Sequence, residues 1–126
     1  MSRKIRRLPD AELEVMQALW DCEQFPALRT DIEEILFRTH EMAMTTLLTQ
    51  LTRLSEKGFV RIEKQGRRST YTPLVSREEY LAAQSSRFLH KLCGGSLPTF
   101  AAALCDSGLS KEELKELRDL LDREVL

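Results

Sequence analysis

The stretch that decides the fold is residues 44–73, MTTLLTQLTRLSEKGFVRIEKQGRRSTYTP. In its first half, Leu47, Leu51 and Leu54 recur at the spacing of one helical face. Gly58 follows this periodic run, as a glycine often follows the end of a helix. The pattern predicts a helix that begins at Met44 and ends near Lys57.

The second half of this stretch predicts a β-hairpin. Residues 59–64 and 69–72 are rich in β-branched and aromatic side chains, which favour strands. The turn between them, residues 65–68, has the sequence Gln-Gly-Arg-Arg. A glycine in so short a connection permits a tight reversal, so this basic segment is predicted to be the tip of the hairpin.

Two shorter helices are predicted before this stretch. Leu13, Met16 and Trp20 lie at helical spacing within residues 10–22. Residues 22–28 contain Pro26 and are predicted to form a loop. Thr30 is predicted to cap a second helix, because acidic residues occupy its first turn.

Three helices closed by a basic hairpin is the order of a winged helix-turn-helix. The predicted fold class is therefore mainly α with a small β-hairpin wing, and residues 1–75 are predicted to form a DNA-binding domain. One face of the third helix carries threonines, which are mediocre helix formers but can approach base edges and phosphates closely. The predicted DNA-binding residues are Thr45, Thr46, Thr49, Gln50, Arg53, Lys64, Arg67 and Arg68.

Residues 76–126 are predicted to form a helical dimerisation and regulatory domain. Ser76 with Glu79, and Ser110 with Glu113, have the spacing of capping boxes that open helices. One helix is predicted to run to about Leu92, a short one to cover residues 97–104, and a third to reach the C-terminus. So small a set of helices cannot bury all its apolar faces alone, which favours pairing with a second copy. The predicted dimerisation residues are Leu81, Phe88, Leu89, Leu92, Leu114, Leu117, Leu120 and Leu121.

The charge of the chain is unevenly distributed. The formal net charge is −1 at pH 7, which by itself does not suggest a DNA-binding protein. Residues 8–41 hold nine acidic and two basic side chains, whereas residues 42–75 hold six basic and two acidic ones. Affinity for a polyanion depends on the local field at the contact surface, so the predicted helix and hairpin remain suited to DNA.

Composition excludes several other classes. No apolar run approaches the roughly 20 residues that span a bilayer, and the N-terminus lacks a secretion signal, so a cytoplasmic protein without membrane insertion is predicted. Cys22, Cys93 and Cys105 are far apart and form no metal-binding motif, so they are interpreted as small buried or half-buried side chains and no metal or cofactor is expected. No nucleophile–base pair or phosphate loop indicates an enzyme.

Several segments spread over nearly the whole chain form a combination that is more specific than any single motif. They are residues 12–16 and 19–20, the helix segment 46–54, residues 57–60, Gly66-Arg67, residues 71–75, Gly94-Gly95-Ser96 and the leucine pattern of residues 109–117. In this order they resemble the penicillinase-repressor family, the BlaI/MecI type with its copper-responsive CopY relatives.

The resemblance implies a homodimeric repressor of a palindromic operator, with each third helix in a major groove. It places Thr45, Thr46, Thr49 and Arg53 toward the groove and Arg67 and Arg68 on the wing. The position of Leu48 is basic in well-known relatives. On the helical wheel Leu48 lies at the edge of the apolar side, so we predict that it packs in the core.

The resemblance also implies a control mechanism for the antibiotic-responsive members. In them a membrane sensor and protease pathway leads to cleavage in the tail, and the aligned bond here joins Ala102 and Ala103, without the relatives' Asn-Phe pair. The paired Cys-x-Cys ligands of copper-responsive relatives are absent from the C-terminus. Two alternatives stay open: a repressor of this family that answers a metal or another stress, and a winged-helix module for protein contacts.

Overall fold

The computed structural model describes residues 5–125, and side chains through Glu124. Arg3 and Lys4, part of a basic N-terminal run, therefore lie outside the described residues. The chain separates into two compact units between Ala83 and Gln84. No helix among the described residues is both long and apolar enough to cross a membrane.

The first unit contains three helices. They are α1 (Asp10–Trp20), α2 (Arg29–Leu36) and α3 (Met44–Glu56). The predicted third helix is confirmed, and its end is fixed by two hydrogen bonds: the Gly58 N–H donates to Ser55 O at 3.0 Å and the Phe59 N–H donates to Leu54 O at 2.9 Å. This is a Schellman motif, which requires the positive φ of 81° that Gly58 adopts.

The first unit also contains a three-stranded antiparallel sheet in the order β1–β3–β2. The strands are β1 (Ala27–Leu28), β2 (Val60–Gln65) and β3 (Arg68–Pro73). The predicted hairpin is confirmed, and its two-residue connection is Gly66-Arg67, with Gln65 paired to Arg68. Gly66 has a φ of 66° and Arg67 does not have a positive φ, as in a type II′ turn.

Two local predictions are wrong. Ala27 and Leu28 form a strand rather than a loop, because they pair with Tyr71 and Thr70 of β3. Thr30 is not the cap of the second helix, which begins two residues earlier than predicted, at Arg29, with Leu28 in the cap position. The carboxylate of Asp31 accepts the Leu28 N–H at 2.9 Å and so satisfies a free donor at the start of the helix.

The core of the first unit joins α1, α2, α3 and the sheet to the start of α4 (Arg77–Arg87). Tyr80 of α4 is buried, its hydroxyl accepts the Leu8 N–H at 2.9 Å, and its ring contacts Trp20 and Phe59. For this reason the first unit continues past residue 75, where the sequence placed a boundary, and includes the first part of α4.

Two of the helices that follow the sheet begin at the predicted capping boxes. After Arg87 the chain continues as a π-helical turn, Phe88–Leu92, followed by α5 (Leu97–Asp106) and α6 (Lys111–Val125). At α6 the Glu113 N–H donates to Ser110 Oγ at 3.0 Å, and the Ser110 N–H donates to the Glu113 carboxylate at 2.9 Å. The same pair of bonds joins Ser76 and Glu79 before α4, so both capping boxes are confirmed.

The second unit buries little of its apolar surface within one copy of the chain. Among the side chains described in residues 84–124, Cys93 alone is buried. Phe88 and Phe100 contact each other edge to face, with ring centroids 5.4 Å apart. The large apolar side chains that are exposed in this unit are Phe88, Leu92, Leu97, Leu120 and Leu121. The fold class predicted from the sequence, mainly α with a small winged-helix sheet, is confirmed.

Candidate nucleic-acid interface

Helix α3 has one buried face and one exposed face. Leu47, Leu51 and Leu54 are buried in the core of the first unit. The exposed face, which we call the threonine face, comprises Thr45, Thr46, Thr49, Thr52 and Arg53. The apolar spacing of the helix produces this arrangement, because residues on the side opposite the buried leucines face outward.

Two hydroxyl groups of the threonine face are already used inside the helix. The Thr49 hydroxyl donates to Thr45 O at 2.9 Å, and the Thr52 hydroxyl donates to Leu48 O at 2.9 Å. Such bonds to the carbonyl four residues earlier are common for threonine in helices. Thr49 and Thr52 therefore offer a ligand their methyl groups and oxygen lone pairs, while their hydroxyl hydrogens are used within the helix.

Gln50 does not belong to the exposed face, and its inclusion among the predicted DNA contacts is corrected. Its side chain is 9% exposed, and its Oε1 has no hydrogen-bond partner among the described residues. On the helix it neighbours Leu47, Leu51 and Leu54, so the packing of α3 on the other helices covers it.

Leu48 differs from its prediction in the opposite direction, toward greater exposure. The prediction that it packs in the core is wrong, since its side chain is 38% exposed. It lines a surface cavity of about 380 Å³ between the beginning of α2, helix α3 and the wing. The other residues around this cavity are Leu28, Arg29, Thr30, Arg67, Arg68, Ser69 and Tyr71.

The wing carries its basic residues in exposed positions. Lys64, Arg67 and Arg68 are all exposed around the hairpin turn. Arg29, at the other side of the cavity, is held by an ion pair with Glu33. The cavity thus brings the wing arginines and α3 to one side of the first unit, where their positive charges can act on one polyanion.

An ion pair that sequence reasoning missed anchors the end of α3. Lys57 Nζ lies 2.6 Å from Glu12 Oε1 of α1, and Glu12 is only 3% exposed. The sequence contains a signal for it, because Glu12 falls on the same face of α1 as Val15, Met16 and Leu19. An acidic residue on a core face needs a partner, and Lys57 provides the charge.

The three cysteines differ in their surroundings. Cys22 and Cys93 are buried, whereas Cys105 is exposed. Burial, with smaller effects from Asp31 and Asp21, raises the pKa of the Cys22 thiol to about 11. Within the described part of the chain, no three His, Cys, Asp or Glu side chains are grouped as metal ligands would be.

The surroundings of the three cysteines predict that they react at unequal rates with a thiol reagent such as an aromatic disulfide. With a pKa near 11, about one Cys22 side chain in a thousand is a thiolate at pH 8, and the thiolate is the nucleophile. We expect Cys105 to react first in the folded protein and Cys22 to react only slowly, with a rate that rises toward pH 11. A Cys105→Ser variant should lose the fast phase; a fast phase that survives would contradict this assignment.

Comparison with known proteins agrees with this geometry. The sequence model of the penicillinase repressor family matches residues 8–123. The chain belongs to this family. It is 32% identical to the penicillinase repressor of Bacillus licheniformis over 122 residues, which are 95% of this chain and 93% of that protein. It is 28% identical to the methicillin resistance regulatory protein MecI of Staphylococcus aureus strain N315 over 124 residues, 98% of this chain and 99% of that one.

A solved relative represents the same family. The solution structure of the Bacillus licheniformis BlaI monomeric form in complex with the blaP half-operator matches with a TM-score of 0.50 and 33% identity. The match covers 63% of this chain and 94% of that one. The predicted family is thus confirmed, and with it the assignment of this chain to transcriptional regulators rather than enzymes.

Proposed function

We propose that this repressor-family chain acts as a homodimer that binds a palindromic DNA operator and blocks transcription. In each copy, α3 enters a major groove and the wing contacts the phosphate backbone. The observation that carries the proposal is the exposed threonine face of α3 beside Arg67 and Arg68, on one side of the first unit. The operator-bound relative supports the same use of the first unit.

The charges of the first unit support binding by this side. The six basic residues of residues 42–75 lie in α3, its C-terminal end and the wing. Arg53, Lys64, Arg67 and Arg68 are exposed and can neutralise phosphates. The threonine face of α3 then lies against base edges, where sequence is recognised.

The burial pattern of the second unit supports the homodimer. A set of helices with so few buried side chains is not stable alone, and a second copy presents the same apolar surface. We propose that residues 76–126 pair two copies and so set the distance between the two α3 helices. Half-sites one or two helical turns of DNA apart would match a twofold dimer.

Replacing Arg53 and Arg67 together with Ala tests the site. We expect affinity for duplex containing the protein's own promoter to fall at least about 30-fold, since each such contact contributes about 1–3 kcal/mol and the two changes remove at least about 2 kcal/mol. Fluorescence anisotropy over a range of salt concentrations measures the affinity and its salt dependence, which should become less steep.

The control for this pair removes two charges elsewhere. Arg38, at the end of α2, and Arg118, on α6, are both exposed, so Arg38→Ala with Arg118→Ala keeps the charge change without touching α3 or the wing. This double variant should bind as the parent does. Equal binding by both double variants would refute the site, and salt-independent or absent binding of the parent would favour a protein-interaction module.

Cleavage between Ala102 and Ala103, and a membrane sensor that triggers it, stay predictions from the resemblance. The bond lies inside α5, and α5 is capped at its start by a bond from the Thr99 N–H to Ser96 Oγ at 3.2 Å. A protease needs an extended substrate, so this helix would have to open locally first. Mass spectrometry of the protein from β-lactam-treated cells tests the prediction: fragments ending at Ala102 support it, and an intact chain during derepression contradicts it.

A further inference from the structure

The side of α3 that carries the DNA-binding face is more apolar than its sequence suggests. Leu48 is exposed rather than buried, and it precedes Thr52 by one helical turn. Thr45 and Thr49 lie next to this pair on the same surface. Leu48, Thr49 and Thr52 therefore form a continuous strip, which we call the methyl strip.

The hydrogen bonds of the methyl strip determine what it can recognise. While the Thr49 and Thr52 hydroxyls donate to Thr45 O and Leu48 O, their hydrogens are not directed at the N7 or O6 acceptors of a purine. What the strip presents is the methyl group and the oxygen lone pairs of each threonine and the Leu48 side chain, a surface that is mostly apolar. Thymine presents a 5-methyl group in the major groove, so it is the base whose edge fits such a surface.

The position of the strip relative to the charges favours duplex DNA as its occupant. Leu48 lines the same cavity as Arg29, Arg67 and Arg68, and Arg53 is exposed farther along α3. Cations on both sides of an apolar strip can bind phosphates while the strip lies against bases. The apolar surface of a partner protein would carry no charges complementary to these guanidinium groups.

We propose that the methyl strip of Leu48, Thr49 and Thr52 selects operators by contact with thymine 5-methyl groups. The proposal rests on the proposed function and adds the base that this face selects. Deoxyuridine pairs as thymidine does but lacks the methyl group, so it removes this contact alone. Loss of one buried methyl contact corresponds to about fourfold weaker binding at each half-site.

The experiment begins with duplexes selected by the full-length protein from a random library. The most enriched duplex is then made with deoxyuridine in place of thymidine at one position at a time. We expect at least one position in each half-site at which the substitution weakens binding about fourfold. 5-Methylcytosine in place of a cytosine in the same half-site adds a methyl group instead of removing one, so it should not reproduce that loss.

Variants connect the loss to the methyl strip. With Leu48→Ala, thymidine and deoxyuridine duplexes should differ less than twofold at the sensitive position. Leu74→Ala is the matched control, because Leu74 is 37% exposed but lines a different surface cavity with Trp20 and Phe25. That variant should keep the full difference, and Leu48→Lys should shift selection toward guanine, whose acceptors suit a cation.

The outcomes separate this proposal from the proposed function. Salt-dependent binding of selected duplexes without any effect of deoxyuridine would overturn the methyl strip and leave the repressor intact. An effect of deoxyuridine that Leu48→Ala and a Thr49→Ser, Thr52→Ser variant leave unchanged would also overturn it. Failure to enrich any duplex would overturn both proposals.

Discussion

Leu121→Glu is expected to convert the protein to monomers and to weaken its binding to a full operator about 100-fold or more. Leu121 lies on α6 and is 55% exposed in one copy, so a carboxylate there does not disturb the fold of that copy. In a dimer seam the same carboxylate would be buried without a partner, which is costly. The loss of DNA affinity follows because two linked half-site contacts bind far more tightly than one.

The mass of the protein in solution and its affinity for DNA are measured together. Sedimentation equilibrium gives the mass of the parent and of the variant, and anisotropy gives the affinity for full and half operators. Lys115→Glu is the control, since Lys115 lies on α6 away from the leucines and is exposed. If the Leu121→Glu variant is still a dimer of unchanged mass, Leu121 does not lie in the dimer interface.

Lys57→Met is expected to lower the free energy of unfolding by about 3 kcal/mol. The substitution leaves the carboxylate of Glu12 buried in the first unit without its partner cation. Breaking a buried ion pair costs about 3–5 kcal/mol, and we expect the low end because the Lys57 side chain is 23% exposed to water.

Urea unfolding followed by circular dichroism measures this loss. Glu12→Leu combined with Lys57→Met should recover most of the stability, because an apolar pair of similar volume needs no charge partner. Arg38→Met breaks the exposed pair with Glu34, whose N–O distance is 3.7 Å, and should change stability little. A Lys57→Met variant as stable as Arg38→Met would show that the Glu12 pair contributes nothing.

Much of the first unit was predictable because its signals are local. The leucine spacing of α3, the Gly58 terminus and the Gly66 turn each act within a few residues. The two capping boxes also depend on side chains three residues apart. Strand β1 was missed because its partners lie far away along the chain in β3, whereas the start of α2 was misplaced for a local reason, the bond from the Leu28 N–H to Asp31.

The exposed face of α3 was predictable in outline, and the two errors in predicting burial on this helix share one cause. On the helical wheel Gln50 and Leu48 lie on opposite sides of the buried leucines of α3, and either could have been covered. Packing in the folded unit covers Gln50 and exposes Leu48. Residue type alone suggested the reverse, since glutamine is usually exposed and leucine usually buried.

The sequence alone determined the three helices and wing, the threonine face of α3 and the family. These follow from periodicity, caps and turns, which depend on neighbours along the chain. Only the tertiary structure decided that Leu48 is exposed, that Lys57 contacts Glu12, and that Tyr80 joins α4 to the first unit through Leu8. Those facts depend on packing between segments far apart in sequence. For this reason the stretch 44–73 predicts an exposed threonine face beside a basic wing, but not which of the side chains at the edge of that face are exposed.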